Sequence, residues 1–314
     1  MWSIAIVLLC CCLSPLIDLG LRKMIQYNRT ETTIEELLSD TINADVIVLG
    51  NSRALCSYNP LTLNHQLQKK VFNIGVSGQP FGISYLRYQL YLRHNKIPQL
   101  LIINIDNNEL EMYSSDFGRE RYYPYFSDEY IRNYLYHLGF SMADLYMPLV
   151  KYRGDYKLVG YSLLSLFNIY PLPYIRHTYG YYNGNKQFDG SELRKVLAQN
   201  DSIYGSVEKE AVELLCKLIQ EQLAEDVNIV FVYAPQYRIL QEHLQMENIK
   251  QIYDSIATTY NISTLDYSNI EWSGDSTYFY NANHVNQRGA ELFSTRIAHN
   301  LDSLFFSSNN QQCK

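Results

Sequence analysis

Val46-Ile47-Val48-Leu49-Gly50-Asn51-Ser52-Arg53 is the stretch from which the fold of this chain can be worked out. Four apolar residues, β-branched or leucine, read as a buried strand that ends abruptly in Gly-Asn-Ser-Arg. Such a strand delivers a hydroxyl to the edge of a sheet, so Ser52 is the first candidate for chemistry. The competing role is structural, because serine after a strand is commonly a turn former or a helix N-cap.

From Ala44 onward, strand-like and helix-like segments alternate: strand 45–50, helix 60–69, strand 71–75, helix 82–94 and strand 100–106. Asn59-Pro60 is a helix start, a cap followed by a proline in the first turn. The alternation resumes with helix 207–225, strand 228–234, helix 246–260, strand 262–266 and a last helix 286–306. Five strands alternating with helices predict a three-layer, flavodoxin-like α/β fold with a five-stranded parallel sheet covered on both faces. Residues 111–205 interrupt the pattern as a tyrosine-rich, mostly helical insertion.

A parallel sheet binds ligands at the carboxyl ends of its strands, and polar motifs follow the strands here. They are Gly50-Asn51-Ser52-Arg53, Asn73-Ile74-Gly75-Val76-Ser77-Gly78-Gln79 and Asp106-Asn107-Asn108-Glu109, with Asn281-Ala282-Asn283-His284 after the last strand. Acyl transfer by a serine needs a base, donors for the oxyanion and a group that orients the base. Ser52 and His284 supply nucleophile and base. The backbone N–H groups of Ser52 and Gly78, with the Asn108 amide, are the candidate oxyanion donors.

Composition narrows the alternatives. The 314-residue chain is 47% hydrophobic and carries a net charge of −6, which argues against a nucleic-acid partner. No GxGxxG or GxxxxGK stretch follows the first strand, so neither a nucleotide nor another cofactor is expected. Cys56, Cys216 and Cys313 are scattered without a CxxC pair, and no metal site is expected.

Met1 to Leu21 is almost continuously apolar, with Asp18 as its only charge and Arg22-Lys23 directly behind. About 20 residues is enough to span a bilayer. The expected layout is a signal anchor over 1–23, a linker over 24–43 and a domain over 44–314; a cleaved signal peptide is the alternative. Cys10, Cys11 and Cys12 then serve as small hydrophobes or lipid carriers.

The ordered set of motifs resembles the SGNH (GDSL-like) hydrolase superfamily over roughly 44–110 and 227–306. Gly50-Asn51-Ser52-Arg53 is similar to its first block, with Asn in place of the usual Asp, and Asn73 to Gly78 to its second. Asp106-Asn107-Asn108-Glu109 is a loose match to the third, in which Asn107 can replace Asn108 as donor. Asn281-Ala282-Asn283-His284 aligns with the DxxH block, so the resemblance implies Asn281 as the partner of His284 where the family has Asp. An amide orients an imidazole but cannot stabilise an imidazolium by charge. Either the protein works as a Ser52–His284 dyad, with Asp266 or Asp275 contributing, or it has lost turnover and kept binding.

The apolar N-terminus and the last block are similar to bacterial membrane-anchored relatives associated with O-acetylation of surface polysaccharides. That likeness implies a single-pass protein with an extracytoplasmic (periplasmic) domain, a carbohydrate substrate and a membrane-bound O-acyltransferase as partner. Transferase and esterase share an acyl-serine and differ in whether sugar or water attacks it. Tyr122, Tyr123, Tyr125, Tyr130, Tyr134, Tyr136, Tyr179, Tyr181 and Tyr182 are suited to stack on sugars or, equally, to pack the insertion or meet a membrane surface. Arg119, Arg121, Arg153 and Arg176 are candidates for an acidic glycan, with solvated surface charges as the default, and Arg53 and Asp106 are candidates for substrate binding, with an ion pair of Arg53 to Asp106 or Glu109 as the structural alternative. The other six histidines lack partners at ligand spacing and are taken as structural.

Overall fold

A computed structural model describes residues 2–106, 110–112, 118–183, 187–199 and 203–307. The candidates Asn107, Asn108 and Glu109, and Cys313, lie outside the described residues. In chain order the framework is α1 (Trp2–Tyr27), β1 (Val46–Leu49), α2 (Ser52–Ser57), α3 (Pro60–Leu67), β2 (Val71–Asn73), α4 (Phe81–His94) and β3 (Leu100–Asn104). It continues with α5 (Tyr156–Leu166), α6 (Lys209–Ala224), β4 (Asn228–Tyr233), α7 (Glu247–Tyr260), β5 (Ser263–Asp266) and α8 (Gln287–Leu301). The five strands form one sheet in the order β2-β1-β3-β4-β5, all neighbours parallel. This is the flavodoxin-like order, which places ligands at the carboxyl ends of the strands.

Side chains alternate across each strand, and the alternation explains the two helical layers. Ile47, Leu49, Leu101, Ile103, Ile229 and Phe231 face one way, into a core closed by α4, α6 and α7. Val46, Val48, Leu100, Ile102, Val230 and Val232 face the other way and meet α2, α3 and α8 through Ala54, Tyr58, Leu63, Phe293 and Ile297. Burying each Val, Leu or Ile contributes roughly 1.5–3 kcal/mol. A central sheet covered on both sides therefore favours the continuous apolar runs of β1 and β3.

Two expectations about the first 43 residues are revised. The apolar run does form a helix, but α1 continues to Tyr27, and its second half belongs to the folded domain. Ile17, Leu21 and Met24 are buried against Tyr152 and Leu158 near and within α5. Asp18, the one charge in the run, pairs with Lys151 at 2.7 Å and accepts from the Tyr152 hydroxyl. Arg22 donates to Pro124 O at 2.7 Å, and Lys23 to Asn168 Oδ1 at 3.0 Å. Among the described residues no helix is long and apolar enough to cross a membrane.

Residues 24–43, expected as a linker, are packed as well. Asn28–Arg29 pairs in parallel with Ile175–Arg176, and Ile34, Leu37 and Ile42 enter the core. Thr33 and Glu36 form a reciprocal capping box around the one-turn helix Ile34–Leu37. His177 is buried; its Nδ1 accepts from Gly180 N–H at 3.0 Å, which leaves Nε2–H to donate to Glu36 at 2.9 Å.

Between β3 and α6 the described residues form helices and turns with the two-residue strands Ile175–Arg176 and Ile203–Tyr204, and Tyr123, Tyr130 and Tyr134 pack against the core. Tyr122, Tyr125 and Tyr181 are buried, whereas Tyr136, Tyr179 and Tyr182 are exposed. Arg119 pairs with Asp144 and lies over Phe140, and Arg153 pairs with the same Asp144 at 2.7 Å.

Burial alone would raise the Glu36 carboxyl, but the hydrogen bonds from His177 and Thr33 N–H and the Arg29 charge hold it well below its ordinary 4.5. A carboxyl lowered in the folded state contributes stability that is complete above the unfolded pKa and is lost as pH falls below it. Glu36→Gln is therefore expected to flatten the acid limb of a melting-temperature profile below about pH 4.5. An acid limb identical to that of the parent chain refutes this role.

Candidate active site

The turn after β1 is built around a buried ion pair. Asn51 caps α2, its Oδ1 accepting from Arg53 N–H at 2.9 Å. Its Nδ2 donates to Asp106 Oδ2 at 2.8 Å, a contact that an aspartate at this position could not make. Arg53 donates to Asp106 Oδ1 at 3.1 Å and to Ala234 O, beyond the end of β4. Arg53 is 4% exposed and Asp106 6%. These candidates for substrate binding thus face each other and tie together the ends of β1, β3 and β4, as in the structural alternative.

Ser52 is the first residue of α2, half-buried at the carboxyl edge of the sheet. The loop after β2 lies beside it: Ile74 N–H donates to Val48 O at 2.9 Å, and Val76 N–H to Gly50 O at 3.1 Å. Asn73, fully buried, spans the two segments, Oδ1 accepting from Gly75 N–H and Nδ2 donating to Ala54 O inside α2. A Cβ at residue 75 would stand 2.8 Å from Leu55 N, so only glycine allows this approach. Gly78 follows with φ of 68°, in the left-handed region. Both backbone groups of Ser77 are held. Its N–H donates to Glu31 Oε2 at 3.1 Å and its carbonyl accepts from Arg121 NH1 at 2.9 Å, while Arg121 Nε pairs with Glu31 Oε1 at 3.0 Å.

His284 comes from the loop between β5 and α8, which is folded back by a bridge between Phe279 and Val285 and by Tyr280 N–H on His284 O at 3.0 Å. His284 Nε2 is 2.8 Å from Ser52 Oγ, and Nδ1 is 2.9 Å from Asn281 Oδ1. The same Asn281 oxygen accepts from Asn283 N–H at 3.0 Å and His284 N–H at 2.9 Å. Two backbone donors can face only the oxygen of the amide, so its orientation is settled by the network. Nδ1 of His284 must then carry the proton, and Nε2 offers its lone pair to the Ser52 hydroxyl. This is the tautomer a general base requires.

The two aspartates considered as helpers are engaged elsewhere. Asp275 accepts from Thr277 N–H at 2.9 Å, and Asp266 binds Ser268 and Lys250. Among the described residues no group of three or more His, Cys, Asp or Glu is arranged to hold a metal ion.

Three residues at the site were not singled out from sequence. Tyr280 stacks on His284 with a ring-centroid distance of 5.2 Å and planes 3° apart, and its hydroxyl lies 3.4 Å from Cys56 Sγ. Asn183, in the segment between β3 and α6, donates to Cys56 O at 3.0 Å and Val285 O at 2.9 Å, joining the serine helix to the histidine loop. Glu31 holds the loop that carries Gly78. These contacts span 46 to 224 residues and left no local signal, apart from the stacked pair four residues apart, where the Tyr-to-His spacing was visible.

No protein-family model matches the chain, and no curated protein matches it. Solved structures do resemble it. A protein assigned to the G-D-S-L lipolytic family, from Desulfitobacterium hafniense, has a TM-score of 0.39 and 12% identity, over 81% of this chain and 97% of that one. A family two carbohydrate esterase from Clostridium thermocellum, crystallised with cellohexaose, has a TM-score of 0.39 and 9% identity, over 82% of this chain and 63% of that one. A protein assigned as an acylhydrolase, from Bacteroides fragilis, has a TM-score of 0.41 and 11% identity, over 87% of this chain and 93% of that one.

Asp106→Ala leaves the Arg53 charge buried without its counter-ion and is expected to destabilise the fold by roughly 3–5 kcal/mol. Urea unfolding measures this, and an unchanged midpoint refutes the internal role of the pair.

Proposed function

We propose that the protein is an SGNH-type serine esterase or O-acyltransferase that acts on acetyl groups of a cell-surface polysaccharide. The observation that carries the proposal is the relay from Asn281 through His284 to Ser52, with the imidazole held in the tautomer that accepts the serine proton. In this mechanism Ser52 Oγ attacks the acetyl carbonyl while its proton passes to His284 Nε2. The carbonyl oxygen becomes an oxyanion, with the N–H groups of Ser52 and Gly78 as its donors. Collapse expels the sugar oxygen, which takes the proton back from His284, and leaves acetyl-Ser52. Water then completes hydrolysis, or a second sugar hydroxyl completes transfer.

The polysaccharide, the membrane setting and a membrane-bound acyltransferase partner belong to the same proposal. Their support is the likeness of the sequence blocks to membrane-anchored relatives, together with the exposed Leu8, Leu9, Leu16 and Leu19 on α1. Exposed Tyr136, Tyr179 and Tyr182 remain open to sugar stacking.

Asn281 favours one alternative, a non-catalytic glycan-binding partner of an acyltransferase, because an amide gives no charge to offset an imidazolium. Labelling with a serine-reactive phosphonate tests the enzyme directly. The parent chain is expected to be labelled and to release acetate from aryl acetates, and Ser52→Ala to do neither. Asn281→Asp is expected to raise turnover roughly tenfold or more. No labelling of the parent, with no gain in Asn281→Asp and glycan binding retained, selects the binding role.

A further inference from the structure

We infer that Arg121 and Glu31 are positioning residues that aim the Gly78 N–H at the oxyanion. The inference rests on Ser52 being the acylated residue. A peptide unit is planar and trans, so the carbonyl of Ser77 and the N–H of Gly78 belong to one rigid plane and point in opposite directions. Arg121 NH1 holds that carbonyl at 2.9 Å, and the orientation of the Gly78 N–H is thereby fixed on the far side from Arg121. Rotation of the plane is resisted from the other end of residue 77 too, because Glu31 Oε2 accepts its N–H at 3.1 Å.

The two side chains are locked to each other by the Nε–Oε1 contact at 3.0 Å, with side-chain exposures of 22% and 11%. One residue, Ser77, is therefore gripped at both its donor and its acceptor by an ion pair whose members come from different segments. Glu31 sits between α1 and the one-turn helix Ile34–Leu37, and Arg121 ends a short 3₁₀ turn, Arg119–Arg121, in the insertion. A guanidinium on the carbonyl also polarises the peptide, and hydrogen bonds in a chain strengthen one another by about 10–30%. The Gly78 N–H becomes a better donor as well as a fixed one. Val76 N–H on Gly50 O at 3.1 Å keeps the loop beside the serine turn, Val76 standing two residues before Gly78 and Gly50 two residues before Ser52.

A donor held this way is preorganised for charge that appears only in the transition state, so its loss should fall on kcat rather than KM. Losing one oxyanion donor outright costs about 10²–10³ in kcat, and loosening its mount should cost roughly a tenth of that, about 10- to 100-fold.

The test uses the full chain and an aryl acetate substrate. Arg121→Ala is expected to lower kcat about 10- to 100-fold with KM within about twofold, and added guanidinium to restore part of the loss. Glu31→Gln, which keeps the shape but not the charge, is expected to lower kcat less, again at constant KM. Should Arg121→Ala fail to fold by circular dichroism, Arg121→Lys and Glu31→Gln carry the measurement. A labelled, active parent whose kcat is unchanged in these variants, or a loss confined to KM, overturns the clasp. A parent that behaves like Ser52→Ala, unlabelled and inactive, overturns the serine chemistry beneath it.

Discussion

The ion pair between Arg53 and Asp106 is the constraint on which the site depends. Both groups are buried, so neither can lose its partner without leaving an uncompensated charge in a low-dielectric interior. Asn51 donates to the second carboxylate oxygen, and Arg53 reaches on to Ala234 beyond the next strand. The ends of three neighbouring parallel strands are in this way joined through the two residues that flank Ser52. Ser52 itself is left at the edge, half-buried, as the first residue of α2.

The histidine side of the site uses a different device. The oxygen of Asn281 is fixed by two backbone N–H groups before it meets the imidazole, so an uncharged residue enforces a tautomer that a freely rotating amide could not. Orientation is preserved and electrostatic support is not. Tyr280, stacked parallel to the imidazole, is suited to receive a positive ring, since aromatic faces attract cations by about 0.5–2 kcal/mol. Asn183 bridges the two halves, donating to the serine helix and to the histidine loop.

Much of the framework was legible because its signals are local. Apolar runs of four to six residues, each followed by a polar block, gave the strands, their parallel arrangement and the edge at which Ser52 and His284 meet. The N-terminal segment was less legible. Twenty apolar residues look alike whether they meet lipid or a partner helix, and it is tertiary contacts, such as those of Lys151 and Tyr152 with Asp18 and the burial of Leu21, that place the second half of α1 in the domain. Residues 24–43 read as a polar linker because polar Thr33 and Glu36 cap their one-turn helix, while Ile34, Leu37 and Ile42, which enter the core, are too scattered to form a periodic pattern. The arginines of the insertion looked like surface charges, since nothing in the chain near Arg119 or Arg121 points to Asp144 or Glu31.

The sequence by itself determined the class of fold, through hydrophobic periodicity, and which two residues, Ser52 and His284, meet at the sheet edge, through polar blocks at strand ends. Tertiary structure alone decided how those residues are held. It paired Arg53 with Asp106, turned the Asn281 oxygen toward His284, and set Glu31 and Arg121 on either side of Ser77. The reason is physical: periodicity is a property of neighbours along the chain, whereas the direction of a side-chain hydrogen bond depends on groups that only folding brings within about 3 Å.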